Sequence, residues 1–199
     1  NAICGDPFSP DQILDFAVER EGHPDNITAS LLGGLTVAVV DKKNVKAVKL
    51  SPPEDLRVVI AIPDYTLSTK EAREVLPQNL DLKSAIYNVS RSSLLVAAVA
   101  TGKLDMLNVA MQDLLHQPHR AKLIPGFEDV CNSAIQAGAL SAALSGAGPS
   151  IAAYCITSED QIANVMIDAF AENGLNAEAK ILEVDSAGAT VSLHIHSSD

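Results

Sequence analysis

Ala139-Leu140-Ser141-Ala142-Ala143-Leu144-Ser145-Gly146-Ala147-Gly148-Pro149-Ser150-Ile151-Ala152-Ala153-Tyr154-Cys155-Ile156 is a pair of short apolar runs around a loop of small residues. Runs of this length, bounded by Gly and Pro, read as strands over 139–144 and 151–156. Downstream, Ser158-Glu159-Asp160-Gln161 has the spacing of a capping box and opens a helix to about Glu172, which Gly174 and Asn176 end. Residues 179–184 and 190–195 then read as closing strands. Upstream, a β-rich run from Arg57 to Ile62 stops at Pro63-Asp64. Helices are expected after it over about 69–75, 82–100, 104–115 and 127–137. The order strand, helices, strand, strand, helix, strand predicts an α+β fold of the split βαβ, ferredoxin-like kind, with extra helices inserted.

Ser51-Pro52-Pro53 is the clearest break in pattern and divides the chain into 1–52 and 53–199. Before it, Ser9-Pro10-Asp11-Gln12 reads as a helix start: Ser9 caps, Pro10 suits the first helical position and Gln12 completes a capping box. Ile13, Leu14, Phe16 and Ala17 recur at helical spacing. The helix should stop near Gly22, because Pro24 disfavours helical geometry at His23. Residues 35–40 and 45–50 read as strands. One helix and two strands cannot bury a core, so this part is expected to pack on something outside it. The chain opens without Met, and we read it as a piece of a longer protein.

The chain has 199 residues, 47% of them hydrophobic and 20% charged, enough to bury a core of Ala, Val, Leu and Ile; Trp is absent. Its net charge of −11 argues against a nucleic-acid or anionic-membrane partner, and serves equally as a solubility device. Three cysteines in unrelated contexts, Cys4, Cys131 and Cys155, suggest a reducing compartment and no disulfide framework. The longest strongly apolar run, Leu94 to Ala100, falls far short of the ~20 residues a membrane span needs.

Three groups of residues carry candidate chemistry. Glu21-Gly22-His23-Pro24-Asp25-Asn26 packs acid, imidazole, carboxylate and amide into a turn at a helix end. There Asp25 can accept a proton from an attacking hydroxyl or hold a substrate ammonium, Asn26 can orient that hydroxyl, and His23 can donate a hydrogen bond or move a proton near neutral pH. Glu21 or Glu19 can offer a carboxylate to Mg²⁺. The same residues read equally as a helix end in which Asp25 or Asn26 caps the next helix. In Leu144 to Ser150, Gly146 and Gly148 around Ala147 allow close backbone approach and an anion-binding nest, or an ordinary tight connection. No G-K-[ST] comes after it, so it is not a P-loop. Arg73, after Thr69-Lys70-Glu71-Ala72, and Arg120, in His116-Gln117-Pro118-His119-Arg120, offer planar forks suited to a carboxylate or phosphate, or are solvated surface charges. Thr69 is a hydroxyl contact or a cap.

In this order and spacing, and together with Leu67-Ser68 and Leu76-Pro77, these blocks resemble the GHMP small-molecule kinases and, within them, the homoserine kinases. The resemblance runs over essentially the whole chain. It implies a GHMP kinase C-terminal domain at 53–199 and the remnant of an N-terminal GHMP domain at 1–52. It implies a cytoplasmic enzyme of threonine biosynthesis that uses ATP and Mg²⁺ to phosphorylate L-homoserine on its side-chain hydroxyl, and is compatible with a homodimer. By the same resemblance, Arg73 and Arg120 clamp the substrate carboxylate. His23, Asp25 and Asn26 surround the amino-acid head and reacting hydroxyl, and Thr69 lies near that hydroxyl. Gly146, Ala147, Gly148 and Ser150 shape the floor near the phosphates, and Glu21 or Glu19 supplies the Mg²⁺ carboxylate. The family's nucleotide loop, Pro-x-x-x-Gly-Leu-Gly-Ser-Ser, does not occur in the chain. It is expected upstream, with residues 1–5 as the tail of the helix it opens, so this piece alone is expected to be inactive. A GHMP kinase for mevalonate or a sugar, and a non-catalytic amino-acid-binding domain, are the competing readings.

Overall fold

A computed structural model describes residues 2–192 of the chain. By packing, the chain divides into two compact units, Asn1–Pro52 with Val184–Asp199, and Pro53–Glu183. The change of unit at Pro52 coincides with the break in sequence pattern, but the stretch from Val184 onward returns to the first unit.

In the first unit, α1 (Pro10–Glu21) begins as its sequence dictates. Ser9 Oγ accepts from the Gln12 N–H at 3.3 Å, and Gln12 Oε1 accepts from the Ser9 N–H at 2.9 Å. The helix ends at Gly22, whose φ of +88° is the left-handed geometry glycine adopts without strain. A second helix, α2 (Asp25–Leu32), comes next, where the sequence suggested only a short link. Its eight residues make only two turns, so the apolar pair Ile27 and Leu31 is too short a run to declare a helical period. β1 (Leu35–Asp41) and β2 (Asn44–Leu50) form an antiparallel hairpin in which Ala38 faces Ala47 and Val40 faces Val45. That face meets Leu14 and Val18 of α1, with Ile27 and Leu31 of α2 beside them. Asp15 ties α1 to the hairpin by accepting from the Val45 N–H at 2.7 Å and the Asn44 amide at 3.0 Å. The opposite face, with Val37, Val39 and Val48, is exposed.

The returning stretch closes on the end of α2. The Gly34 N–H donates to Asp185 O at 2.7 Å, the Ala189 N–H to Leu31 O at 3.2 Å, and Lys49 Nζ to both Leu32 O and Ser186 O. Residues 190–192 form no strand, and the remainder of the strand expected over 190–195 lies outside the described residues.

The second unit is the expected split βαβ arrangement. β3 (Arg57–Pro63), β4 (Ser141–Leu144), β5 (Ile151–Cys155) and β6 (Ala177–Glu183) form one antiparallel sheet in the order β4-β5-β3-β6. β3 is central, and its alternation buries Val59 and Ala61 completely. Against this face pack α7 (Phe127–Gln136), through Val130 and Ala134, and α8 (Glu159–Glu172), through Ile162, Met166 and Phe170. Between β3 and α7 run α3 (Thr69–Glu74), the 20-residue α4 (Leu82–Thr101), and the short α5 (Leu107–Ala110) and α6 (Gln117–Arg120).

Two expectations fail locally. The helix expected over 104–115 stops at Ala110, because the Asp113 carboxylate captures the N–H groups of Leu115, His116 and Gln117 and turns the chain. α8 starts without its expected capping box: Ser158 sits in the left-handed region at φ +67°, and its side chain makes no capping bond.

Candidate active site

α3 is short, and its placement rests on its first turn. Ser68, not Thr69, is the cap: its Oγ accepts from the Glu71 N–H at 3.1 Å, while Glu71 Oε2 accepts from the Ser68 N–H at 3.0 Å and from its hydroxyl at 2.5 Å. The two bonds from Ser68, side chain first and backbone second, hold the Glu71 carboxyl below the usual range. Thr69 is the first helical residue, and Arg73 lies one turn on, exposed.

Arg120 is half-buried at the end of α6 and reaches two backbones. Its Nε donates to Ala72 O at 3.0 Å and its Nη1 to Gly146 O at 3.1 Å. One guanidinium therefore joins the residue before Arg73 to the loop between β4 and β5. Arg120 and Gly146 thus meet directly, and the backbone of α3, which carries Thr69 and Arg73, is tied to the same guanidinium through Ala72. Neither Arg73 nor Arg120 forms an ion pair among the described residues.

The loop itself is a closed turn. The Ser145 N–H donates to Ser150 O at 2.9 Å and the Gly148 N–H to Ser145 O at 3.1 Å. Pro149 has no N–H and that of Gly148 is already taken, which leaves Gly146, Ala147 and Ser150 to supply the donors of a nest. The two glycines differ in reason. A Cβ on Gly146 would meet nothing within 4 Å, whereas one on Gly148 would press on Ile124 Cδ1 at 2.9 Å. Gly146 thus faces open space, and Gly148 packs on the core.

The turn after α1 sits in the first unit. Glu19 and Glu21 are exposed on the last turn of α1, His23 is exposed in the link, and Asp25 and Asn26 open α2. Pro24 is the cap residue, and Asp25 Oδ1 accepts from the Asn26 N–H at 2.8 Å. The N-cap position therefore carries no side-chain capping bond, and the Asp25 carboxylate, in the first helical position, stays exposed. No three His, Cys, Asp or Glu side chains gather into a cation site among the described residues. Glu19 and Glu21 each offer a single exposed carboxylate, so a Mg²⁺ ion held there would take its remaining oxygens from a nucleotide and from water.

Sequence reasoning missed the support beneath Arg120. The Asp113 carboxylate accepts from Asn88 Nδ2 at 2.6 Å and from the N–H groups of Leu115, His116 and Gln117 at 2.6, 2.7 and 2.7 Å. Burial works against its charge, but these bonds outweigh it and hold the carboxyl below its ordinary value. Gln117 then bridges: its Nε2 donates to Met111 O at 3.1 Å and its Oε1 accepts from the Leu144 N–H at 3.2 Å. The only sequence signal was an Asp shortly before a Pro-broken helix. A cavity of about 660 Å³ in this unit is lined by Asp113, Gln117, Pro118, Phe127 and Ser141 among others, while Arg120 turns away toward Ala72 and Gly146. Cavity size alone would have pointed away from the arginines.

No helix among the described residues is long and apolar enough to cross a membrane. Residues 95–174 match the family described as GHMP kinases C terminal. Over 96% of its length the chain is 42% identical to homoserine kinase of Clostridium beijerinckii and 44% identical to homoserine kinase of Moorella thermoacetica. It spans 64% of each of those relatives. The crystal structure of homoserine kinase from Cytophaga hutchinsonii superposes with a TM-score of 0.87 at 31% identity, over 94% of this chain and 62% of that one.

Proposed function

With a GHMP kinase C-terminal segment at residues 95–174 and homoserine kinases as relatives along nearly all of its length, we propose that this chain forms the acceptor-holding part of an ATP-dependent homoserine kinase of threonine biosynthesis, working in the cytoplasm. Residues 1–52 belong, in this reading, to the N-terminal GHMP domain and the rest to the C-terminal one. Arg73 and Arg120 take the carboxylate of L-homoserine. His23, Asp25 and Asn26 serve the amino-acid head and the reacting hydroxyl, with Thr69 beside it. Gly146, Ala147, Gly148 and Ser150 line the phosphates of ATP, and Mg²⁺ accompanies the nucleotide, with Glu21 or Glu19 as its protein carboxylate.

The observation that supports this most is the reach of Arg120 to Ala72 and Gly146. The guanidinium is held between α3 and the glycine loop by two of its five N–H donors, and the donors left over are what this reading gives to the carboxylate. Phosphoryl transfer has a loose transition state, so the protein's work is alignment and charge neutralisation rather than strong base catalysis. Two arginines that fix one end of a small amino acid, and a loop that fixes the phosphate, do that work. Asp25 or Asn26 then only has to orient the hydroxyl.

The test is turnover by the product of the whole reading frame that encodes this chain. Phosphate transfer from ATP is followed with L-homoserine, mevalonate and galactose as acceptors, with and without Mg²⁺. The expected result is O-phosphohomoserine formation that requires ATP and Mg²⁺. Preference for mevalonate or galactose removes the substrate assignment. Homoserine binding that ignores ATP and Mg²⁺, without turnover, turns the protein into an amino-acid-binding module.

A further inference from the structure

We propose that Asp113 and Gln117 are positioning residues which set Arg120 and the glycine loop in register for the acceptor carboxylate, an inference that rests on the assignment of Arg120 to that carboxylate. The chain offers no covalent reason for α6 and the β4–β5 loop to sit together, since 26 positions separate Arg120 from Gly146. Two parallel ties hold them instead. Gln117 accepts from the Leu144 N–H at 3.2 Å, and Arg120 donates to Gly146 O at 3.1 Å. Both ties leave α6, and both land on the same edge of the hairpin.

The first tie has a particular chemistry. β4 is the edge strand of its sheet, so alternate backbone groups face away from β5. Gln117 caps one of these groups by acting as a single residue of an absent neighbouring strand: its Oε1 takes the Leu144 N–H while its Nε2 serves Met111 O. An isosteric hydrocarbon cannot do either. A carboxylate can do only the first.

Asp113 fixes where Gln117 stands. Its Oδ2 accepts from the Gln117 N–H at 2.7 Å and its Oδ1 from Asn88 Nδ2 at 2.6 Å, so α6 is hung from the long helix α4. Asn88 returns the contact by accepting from the Leu114 N–H at 3.0 Å. The path α4, Asn88, Asp113, Gln117, β4 is hydrogen-bonded at every step. Arg120 closes it through Gly146 and Ala72, the residue before Arg73. Side chains that hold a binding group without touching the ligand are the second layer on which the fit of a site depends.

The test uses Gln117→Met and Gln117→Glu in the full reading-frame product, with two readouts. The first needs no substrate: the exchange rate of the Arg120 Nε proton, assigned by its loss in Arg120→Lys and followed by NMR. In the wild type this proton is bonded to Ala72 O and should exchange slowly. Gln117→Met should speed its exchange at least tenfold, and Gln117→Glu should recover part of the protection, because Glu can still accept from Leu144. The second readout is the homoserine KM, which should rise at least tenfold in Gln117→Met with the ATP KM little changed, alongside a modest fall in melting temperature because the Leu144 N–H and Met111 O lose their partner. An unaltered Arg120 exchange rate in a folded Gln117→Met variant overturns the proposal. So does a fall in melting temperature with homoserine KM unmoved. If the wild type turns over no homoserine, the substrate reading fails by itself, and the exchange measurement still decides whether Gln117 positions Arg120.

Discussion

Arg120 Nε lies 3.0 Å from the carbonyl oxygen of Ala72, immediately before Arg73. The same guanidinium reaches Gly146 O at 3.1 Å, so one planar group spans two backbones before any ligand arrives. This separates the two arginines. Arg73 is exposed and can act only on what binds; Arg120 also holds the place where binding happens. Arg73→Ala should cost about 2 kcal/mol in kcat/KM for homoserine and leave the melting temperature near that of the wild type. Arg120→Ala should cost as much or more and also lower the melting temperature. Arg120→Lys should behave like the alanine variant, because a single ammonium does not reproduce the fork. Steady-state kinetics and thermal melts on the three variants check this; a fully active Arg120→Lys protein would contradict it.

The position of α3 depends on Ser68. The reciprocal bonds between Ser68 and Glu71 are its N-terminal anchor, and the other holds on this six-residue helix, buried Ala72 and the Arg120 bond to its carbonyl, come one turn later. Ser68→Ala should lower unfolding free energy by about 1 kcal/mol, and Ser68→Asp should largely restore it. Urea unfolding of the second unit reads the difference. Thr69→Ala should have a much smaller effect on stability, since Thr69 is the first helical residue and not the cap.

The elements legible in the sequence are those where independent signals agree. Strands β3, β4 and β5 and helices α1, α4 and α7 announced themselves, because apolar period, caps and Gly/Pro punctuation agree with one another there. α2 did not, because eight residues with Thr28 and Ser30 inside leave no clear stripe. The end of α5 did not either, since local propensity through Leu114 and Leu115 favours helix and a side chain distant in sequence, Asn88, helps Asp113 override it. At the site, residue types were readable and connections were not. Arginines and glycines can be picked from a sequence; that Arg120 would grasp Ala72 and Gly146, or that Gln117 would cap an edge strand, is tertiary information.

The first unit closes on two glycines. Gly33 and Gly188 both have positive φ, +70° and +74°, and each occupies the space a side chain on the other would need. A Cβ on Gly188 would stand 2.5 Å from Leu31 O and 2.7 Å from Gly33 N, and one on Gly33 would stand 2.6 Å from Gly188 N. These are backbone atoms with no freedom to step aside. Gly33→Ala and Gly188→Ala should each destabilise this unit by more than the ~1–2 kcal/mol of left-handed strain alone. Gly146→Ala should cost only that strain, because its Cβ meets nothing. Hydrogen exchange at Gly34 and Ala189, whose N–H groups make the closing bonds, reports the loosening locally.

The cysteines should separate by rate. Cys4 is exposed, Cys155 is buried, and the Cys131 thiol is pushed up to about 12, by burial first and by the charge of Glu128 second. At pH 8 a thiol with that value holds on the order of one part in ten thousand as thiolate, the reactive form. Iodoacetamide should therefore label Cys4 first in the folded protein, and Cys131 and Cys155 only on unfolding. Peptide mapping after timed labelling checks the order.

Asp113 gives a pH dependence whose sign is fixed by its surroundings. Unfolded, its carboxyl titrates near ~3.9. Folded, it titrates lower: burial opposes the charge, but the bonds from Asn88, Gln117, Leu115 and His116 prevail. A depressed folded value means that the folded state binds the proton less readily than the unfolded one. The stability the carboxylate contributes is thus complete above the unfolded value and drains away as pH falls through the folded one. Asp113→Asn lacks the charge at every pH and should be less stable than the wild type from pH 7 down to about 5, where the carboxylate also has the His116 ring 3.6 Å away. Below about pH 4 the two proteins should converge, as the wild-type carboxyl protonates and comes to resemble the amide. Urea midpoints measured at pH 7, 5, 4 and 3 give the margin directly. A gap that widened with acid would mean that Asp113 binds its proton more tightly in the fold, and would remove the charged hub on which α6 is hung.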